Sequence, residues 1–229
     1  VADDLLENHG RQVSHSYLQN LSEAVGQIVQ QKEETWHYSV PTLPAVVSTV
    51  SIGVDGTCLL LCQEGYREAM VGTISLYDKE GDRLHTIYQS ATPESGKATF
   101  WQRMTREIKQ VQQLYPAACY LGLADGAKDN WSFLESHTER QVLDFYHTTG
   151  YLEAVAPVAH PVNLTKRQTW LEERCHQLKH VETAASKILA ELKTFRSKRL
   201  AKSLRGHLDR AITYFQNHLP QMNYAAAVR

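Results

Sequence analysis

Val50-Ser-Ile-Gly-Val-Asp-Gly-Thr57 alternates apolar and polar side chains and then reaches Asp55-Gly56. Alternation with a period of two is the mark of a half-buried strand, and Asp-Gly is a turn signal. The stretch therefore predicts a strand over 46–54 that ends by presenting one carboxylate. Two more stretches behave alike: Tyr120-Leu-Gly-Leu-Ala-Asp-Gly126 and Gln141-Val-Leu-Asp-Phe-Tyr-His147. Three strand-like runs thus each deliver an aspartate, at Asp55, Asp125 and Asp144. One Asp-Gly turn is commonplace; an ordered set of three is a candidate site.

Outward from these runs, the chain alternates between strand and helix patterns. Thr57 to Cys62 continues the first strand as a hairpin, and strands are expected over 69–77 and 84–90 around the turn Lys79-Glu-Gly-Asp82. A helix is predicted over 99–114, with Phe100, Met104, Ile108, Val111 and Leu114 on one face, stopped by Tyr115-Pro116. Then come a strand over 119–124, a short helix over 130–136 and a strand over 141–145. The order β-β-β-α-β-α-β implies an α/β fold with a mixed sheet covered on both faces. It is the order of an RNase H-like domain, in which the first and fourth strands are neighbours, so Asp55 and Asp125 should lie close together.

The 229 residues suffice for one large domain or two modest ones. No apolar run is long enough to span a bilayer. The opening Val-Ala-Asp-Asp-Leu-Leu-Glu-Asn lacks the basic and apolar regions of a secretory signal, which points to a cytoplasmic protein with no membrane partner. The missing initiator Met and the apolar ending Tyr224-Ala-Ala-Ala-Val-Arg229 suggest a piece of a longer reading frame. Of the four cysteines, Cys58 and Cys62 fall in an apolar strand and read as buried structural thiols. His176 and His180 share a helix face next to Cys175, but no partner pair of ligands accompanies them, so a solvated face is the reading rather than zinc.

Residues 1–40 read as helical: a short helix from Asp3 to Gly10, then a longer one capped by Ser14 or Ser16. Tyr17, Leu18, Leu21, Ala24, Val25 and Ile28 lie at helical spacing on the longer one. The pair fits a helix-turn-helix. Pro41 and Pro44 mark an extended linker over 35–47. From Tyr151 onward the pattern is helical again, over 166–192 and 198–219. There the window 187–210 holds eight basic and two acidic side chains, +6 against a whole-chain charge of −1. Lys193, Arg196, Lys198, Arg199, Lys202 and Arg205 form a candidate stripe for the backbone of double-stranded DNA.

Close aspartates repel unless a proton or a cation is shared between them. Mg²⁺ or Mn²⁺ resolves this, because such ions favour a few carboxylates plus water and phosphate oxygens. Two ions about 3.5–4 Å apart activate water or a 3′-hydroxyl and stabilise the leaving oxygen of a phosphodiester. Asp55 and Asp125 would then be metal ligands, with Gly56 and Gly126 leaving room for close backbone approach. Asp144 and His147, three apart, cooperate only if the strand ends or turns between them. Phosphate loops, serine elbows and zinc-protease motifs are absent from the sequence.

Ser51-Ile-Gly-Val-Asp-Gly-Thr57, Leu123-Ala-Asp-Gly-Ala127 with Trp131, and Val142-Leu-Asp-Phe-Tyr-His147 together resemble the mutator-like transposases of bacterial insertion sequences, most closely the Kra family. Asn8-His-Gly and the segment 14–26 also look like that family's region before its catalytic domain. The resemblance implies a DDE transposase on an RNase H-like fold, cleaving and joining DNA strands at element ends with two Mg²⁺ or Mn²⁺ ions. It implies catalytic metal ligands at Asp55 and Asp125, an accessory Asp-x-x-His motif at Asp144 and His147, and self-association as a dimer or higher. Its division of the chain is a helical segment at 1–40, a catalytic core at 45–150 and part of a helical insertion at 151–229. The family's glutamate follows a Gly-Ser-Gly-like stretch that this sequence does not contain. The alternatives are a non-catalytic DNA- or partner-binding remnant and an unrelated RNase H-like nuclease whose third acid is Glu172, Glu173, Glu182 or Glu191.

Overall fold

The structure, a computed structural model, describes residues 2–35, 39–62 and 64–227. Its internal contacts divide the chain into two units, one up to Thr42 and one from Leu43. The first unit holds α1 (Ala2–His9) and α2 (His15–Thr35). Gly10, at φ 61°, closes α1 by donating its N–H to the Leu6 carbonyl. The Ser14 hydroxyl caps α2 by accepting the Tyr17 N–H at 3.2 Å. The apolar side of α2 remains open: Tyr17, Leu21, Val25 and Ile28 are each about half exposed. Residues 36–38 of the expected linker lie outside the described residues.

The second unit runs β1 (Thr49–Leu61), β2 (Gly65–Tyr77), β3 (Arg83–Ala91), α3 (Gly96–Leu114), β4 (Cys119–Ala124), α4 (Lys128–Glu135) and β5 (Arg140–Leu143). It continues with α5 (Phe145–Ala159), α6 (Leu164–His180), α7 (Ala184–Thr194), α8 (Lys202–His218) and α9 (Tyr224–Ala227). The five strands form one mixed sheet in the order β3-β2-β1-β4-β5. β1 pairs antiparallel with β2 and parallel with β4, and β4 pairs parallel with β5. The chain is therefore α/β, and β1 and β4 are neighbours as the element order requires.

Register and alternation sort the side chains cleanly. One face carries Val50, Ile52, Val54, Met70, Ile74 and Leu76, all buried, with Ile87, Tyr120 and Leu143 beside them. α3 lies directly on this face. A Cβ on Gly72 would sit 2.6 Å from the Met104 sulfur and 2.9 Å from Phe100. Trp101 of α3 stacks on Phe133 of α4 at 4.3 Å and joins the two covering helices. The opposite face carries Ser51, Gly53, Thr73, Ser75, Leu123 and Val142. It is covered only in part, because Val71 and Tyr88 on it are exposed. The expectation of a sheet covered on both faces is corrected to that extent.

Four further expectations change. The strand from Val50 does not stop at Asp55-Gly56. β1 runs through both, pairing Asp55 with Val71 and Gly56 with Met70. A paired neighbour strand outweighs a local turn signal, because the ladder hydrogen bonds hold the backbone extended. β4 drops away beyond Gly53 and the β3 pairing stops at Met70, so 57–61 and 65–69 form a two-stranded arm. Nothing covers such an arm on both sides, which leaves Cys58 and Cys62 exposed rather than buried. Leu114, expected on the buried face of α3, is exposed because it ends the helix. The helix expected over 166–192 is two helices, broken at 181–183.

That break serves an ion pair. α6 and α7 fold back on each other, so that Arg174 donates to both Glu191 oxygens at 2.7 and 3.0 Å and Trp170 Nε1 donates to Glu191 at 2.9 Å. Burial pushes the Glu191 carboxyl up, but the Arg174 and Trp170 hydrogen bonds outweigh it and hold the group below its ordinary range.

Candidate functional site

Pairing sets Gly53 opposite Leu123 and Leu123 opposite Val142. Asp55, Asp125 and Asp144 each lie two residues beyond that row, so alternation puts all three on the partly open face. Asp125 and Asp144 directly follow the carboxyl ends of β4 and β5, and Asp55 lies within β1 just past its last pairing with β4, along the edge where open α/β sheets form their binding crevices. The three aspartates line one cleft of about 410 Å³, together with Thr73, Tyr146 and Tyr224. The last paired row of β1 and β4 is Gly53 with Leu123, two residues before Asp55 and Asp125.

Each carboxylate is anchored through one oxygen. Asp55 Oδ1 accepts the Gly56 N–H at 2.8 Å. Asp125 Oδ1 accepts the Ala127 N–H at 3.0 Å and Asn130 Nδ2 at 3.3 Å, holding it at the start of α4. Asp144 Oδ1 caps α5, accepting the His147 N–H at 2.9 Å. β5 ends at Leu143, before both residues, so Asp144 is the cap and His147 lies in the first turn of α5. The His147 ring then swings back to put Nδ1 3.5 Å from Asp144 Oδ1. Among the described residues, the hydrogen bonds to Asp55 and Asp125 fall on Oδ1, which leaves Oδ2 of both for a ligand.

The helices behind the cleft brace it. Tyr214 of α8 donates its hydroxyl to the Asp125 carbonyl at 3.1 Å. Thr148 donates to the Asp144 carbonyl at 3.0 Å, and its buried hydroxyl meets the Tyr224 hydroxyl at 2.7 Å. Tyr224 also sets its ring edge-on to Phe145 at 5.2 Å. Burial pushes both phenols, Tyr214 and Tyr224, well above the tyrosine range. Burial lowers the His218 imidazole, with Asp125 pulling the other way. No sequence pattern marks Tyr214, His218 or Tyr224; they meet the aspartates only because α8 and α9 return to the sheet edge.

Gly126 shows how tight this bracing is. Its φ is 111°, and a Cβ there would sit 3.0 Å from His218 Nε2. Gly126→Ala should therefore cost about 1–3 kcal/mol, measured by denaturant unfolding. Gly56 has a different role from the expected one, since the Glu68 carboxylate fills the space beside it. Glu68 in turn pairs with Lys97 at 2.8 Å, and this hydrogen bond raises the lysine.

The remaining candidates lie elsewhere. Glu191 and Glu173 line a different cavity, with Arg174 and His160, and neither lines the acid cleft. Among the described residues, no group of three or more His, Cys, Asp or Glu side chains is arranged to hold a metal, the His176–His180 pair included. Asp55 and Asp125 still suit Mg²⁺, which commonly takes one or two carboxylates and fills its shell with water and substrate phosphate. Within the basic stripe, Arg205 donates to the Arg196 and Lys198 carbonyls, both at 2.8 Å. Lys198 donates to the Val158 carbonyl at 2.9 Å, and Arg196 pairs with Asp209 at 3.5 Å. Lys193, Arg199 and Lys202 are exposed.

Compared with protein-family models, with curated proteins and with solved structures, the chain matches none.

Proposed function

We propose that this chain is the core of a metal-dependent DNA-processing protein, a DDE-type transposase core on an RNase H-like fold. The observation that carries the reading is the convergence of Asp55, Asp125 and Asp144, from the three adjacent parallel strands β1, β4 and β5, on one cleft. The strand order and the mixture of pairings support the RNase H-like assignment. Asp55 and Asp125 would hold Mg²⁺ or Mn²⁺ through their free oxygens. Ions held there would supply the activation of a water or 3′-hydroxyl and the stabilisation of the phosphodiester's leaving oxygen. Tyr214 and Asn130 keep Asp125 aimed at the cleft, while Asp144 and His147 set the first turn of α5 beside it. The place of action would be the cytoplasm of a bacterium. Among the described residues, no helix is long and apolar enough to cross a membrane.

The test is Mn²⁺ titration of the full chain followed by a supercoiled-plasmid nicking assay with and without the ion. Mn²⁺ binding together with ion-dependent nicking supports the reading; no binding in the millimolar range sinks it. Binding without nicking selects a second reading, a DNA- or partner-binding remnant. That reading is favoured because, among the described residues, no group of three or more His, Cys, Asp or Glu side chains is arranged to hold a metal. A nuclease that draws its third acid from the helical part loses Glu173 and Glu191, which belong to the other cavity.

DNA would contact the exposed cations of the 187–210 window. Arg199→Ala with Lys202→Ala should reduce the slope of log affinity against log salt by about two, measured by fluorescence anisotropy on duplex DNA. An unchanged slope removes that surface.

Self-association belongs to the same reading, with a second copy of α2 as the partner of α2. Leu18, Leu21, Val25 and Ile28 repeat at alternating spacings of three and four, and the flanking positions Ser22, Ala24, Val29 and Gln31 carry no charge to repel a second copy. Light scattering should show a dimer that Val25→Asp with Ile28→Asp converts to monomer. A monomeric native chain at high concentration excludes this contact.

A further inference from the structure

The start of α5 leaves the acid cleft with an exposed aromatic ring. Tyr146 is 84% exposed and lines the cleft of the aspartates. It also lines a second cavity, of about 450 Å³, between α5 and α8. Tyr146, His147, Gly150, Tyr151 and Ala154 line it from α5, and His207 and Arg210 line it from α8.

The two cavities share Tyr146 and have opposite chemistry. The first is lined by three carboxylates; the second is lined by none, and its charge comes from Arg210 beside two histidines. Gly150 and Ala154, four apart on α5, bring no large side chain to the lining, and a Cβ on Gly150 would meet nothing within 4 Å. Tyr151 is stacked on Tyr214 at 4.1 Å with 22° between the planes. Arg210 Nη2 lies 3.0 Å from His207 Nδ1, which holds the guanidinium in the lining.

We propose that this second cavity is a nucleotide pocket. It receives one base unstacked from the DNA strand whose phosphate lies at the acid cleft, with the ring on Tyr146 and the neighbouring phosphate on Arg210. The inference rests on the metal-dependent DNA reading above and names where the strand goes next. A mostly apolar hollow with an aromatic ring and a cation in its lining supplies what a base and its phosphate require. A base stacked in a duplex has its faces covered by its neighbours, so it must leave its stack to lie on Tyr146. The absence of carboxylates from the lining spares the phosphate the repulsion it would meet in the cleft next door when no ion is bound.

The test uses the full chain and a single-stranded oligodeoxynucleotide carrying 2-aminopurine, with Mn²⁺ affinity measured in parallel. Gly150→Leu fills the pocket at an open helical position, so the fold should be kept with a melting temperature at or above that of the native chain. Tyr146→Ala removes an exposed ring and gives a second, independent variant. The native chain should quench the probe on binding. Each variant should bind it about tenfold more weakly with the quench lost, while in Gly150→Leu, whose position does not line the acid cleft, Mn²⁺ affinity stays within about twofold. Native-like binding and quenching in both variants overturn the pocket and leave the metal-site reading intact. Mn²⁺ binding by the native chain with no oligonucleotide binding also overturns the pocket. Failure of the native chain to bind either Mn²⁺ or the oligonucleotide overturns both.

Discussion

Asp55→Asn and Asp125→Asn should each lower Mn²⁺ affinity about a hundredfold, because each removes one of the two negative charges that make the site attractive to a divalent ion. The asparagine keeps the size of the side chain and its anchoring oxygen. The Gly56 N–H still finds an acceptor in Asp55→Asn, and the Ala127 N–H and Asn130 still find one in Asp125→Asn. The fold should accordingly survive, and a thermal melt within a few degrees of the native chain would show that the loss is electrostatic. Asp144→Asn separates the two roles a carboxylate can have here. Asparagine caps a helix about as well as aspartate, so α5 keeps its start and its hydrogen bond from the His147 N–H. If Asp144 acts as a cap and not as a ligand, Mn²⁺ affinity is unchanged in this variant. A loss matching that of Asp55→Asn would instead make Asp144 a third ligand. Unchanged affinity in both Asp55→Asn and Asp125→Asn would remove the metal site altogether.

Phe100→Ala should destabilise the second unit by about 3–5 kcal/mol, the usual cost of emptying a buried aromatic position. Phe100 is fully buried and belongs to the α3 face that rests on the sheet where Gly72 leaves room for it. In a unit of this size, such a loss lowers the melting temperature by about 10 °C. Leu114→Ala, on the same helix but exposed, should change stability by less than about 0.5 kcal/mol. Calorimetry of the pair checks which residues of α3 carry the packing. Equal losses in the two variants would contradict the burial pattern. The acid cleft adjoins Gly72 and Thr73, so Phe100→Ala should also broaden Mn²⁺ binding before it abolishes folding.

Much of the second unit was legible in the sequence because its signals are local and repeated. Alternation along Val50–Val54 and Tyr120–Ala124 marks strands, and the spacing of Phe100, Met104, Ile108 and Val111 marks one buried helix face. Those periods follow from strand and helix geometry and need no partner to be read. They give the element order, hence a mixed sheet with β1 beside β4, which brings Asp55 and Asp125 to one cleft even though β1 continues past Asp55. Asp144 as a carboxylate at the end of the last strand was readable for the same reason.

The rest depends on partners distant in the chain. Whether Asp55-Gly56 turns or continues is decided by Val71 and Met70 across the ladder, whose hydrogen bonds outweigh the turn preference of two residues. Whether Cys58 and Cys62 are buried depends on where β4 stops, which leaves a two-stranded arm too thin to bury them. The break at 181–183 carries no proline or glycine; it is stabilised by Arg174 and Trp170 reaching Glu191 on the returning helix. The bracing of the cleft by Tyr214, His218 and Tyr224 joins residues about 75–90 apart in sequence, and only the closure of α8 and α9 against the sheet edge brings them together. The sequence by itself determined the elements, their order and the row of aspartates, because short-range periodicity encodes them. Tertiary structure alone decided which oxygens of those aspartates are held, what stands behind them and which cavity opens beside them, because these follow from long-range packing that no local pattern records.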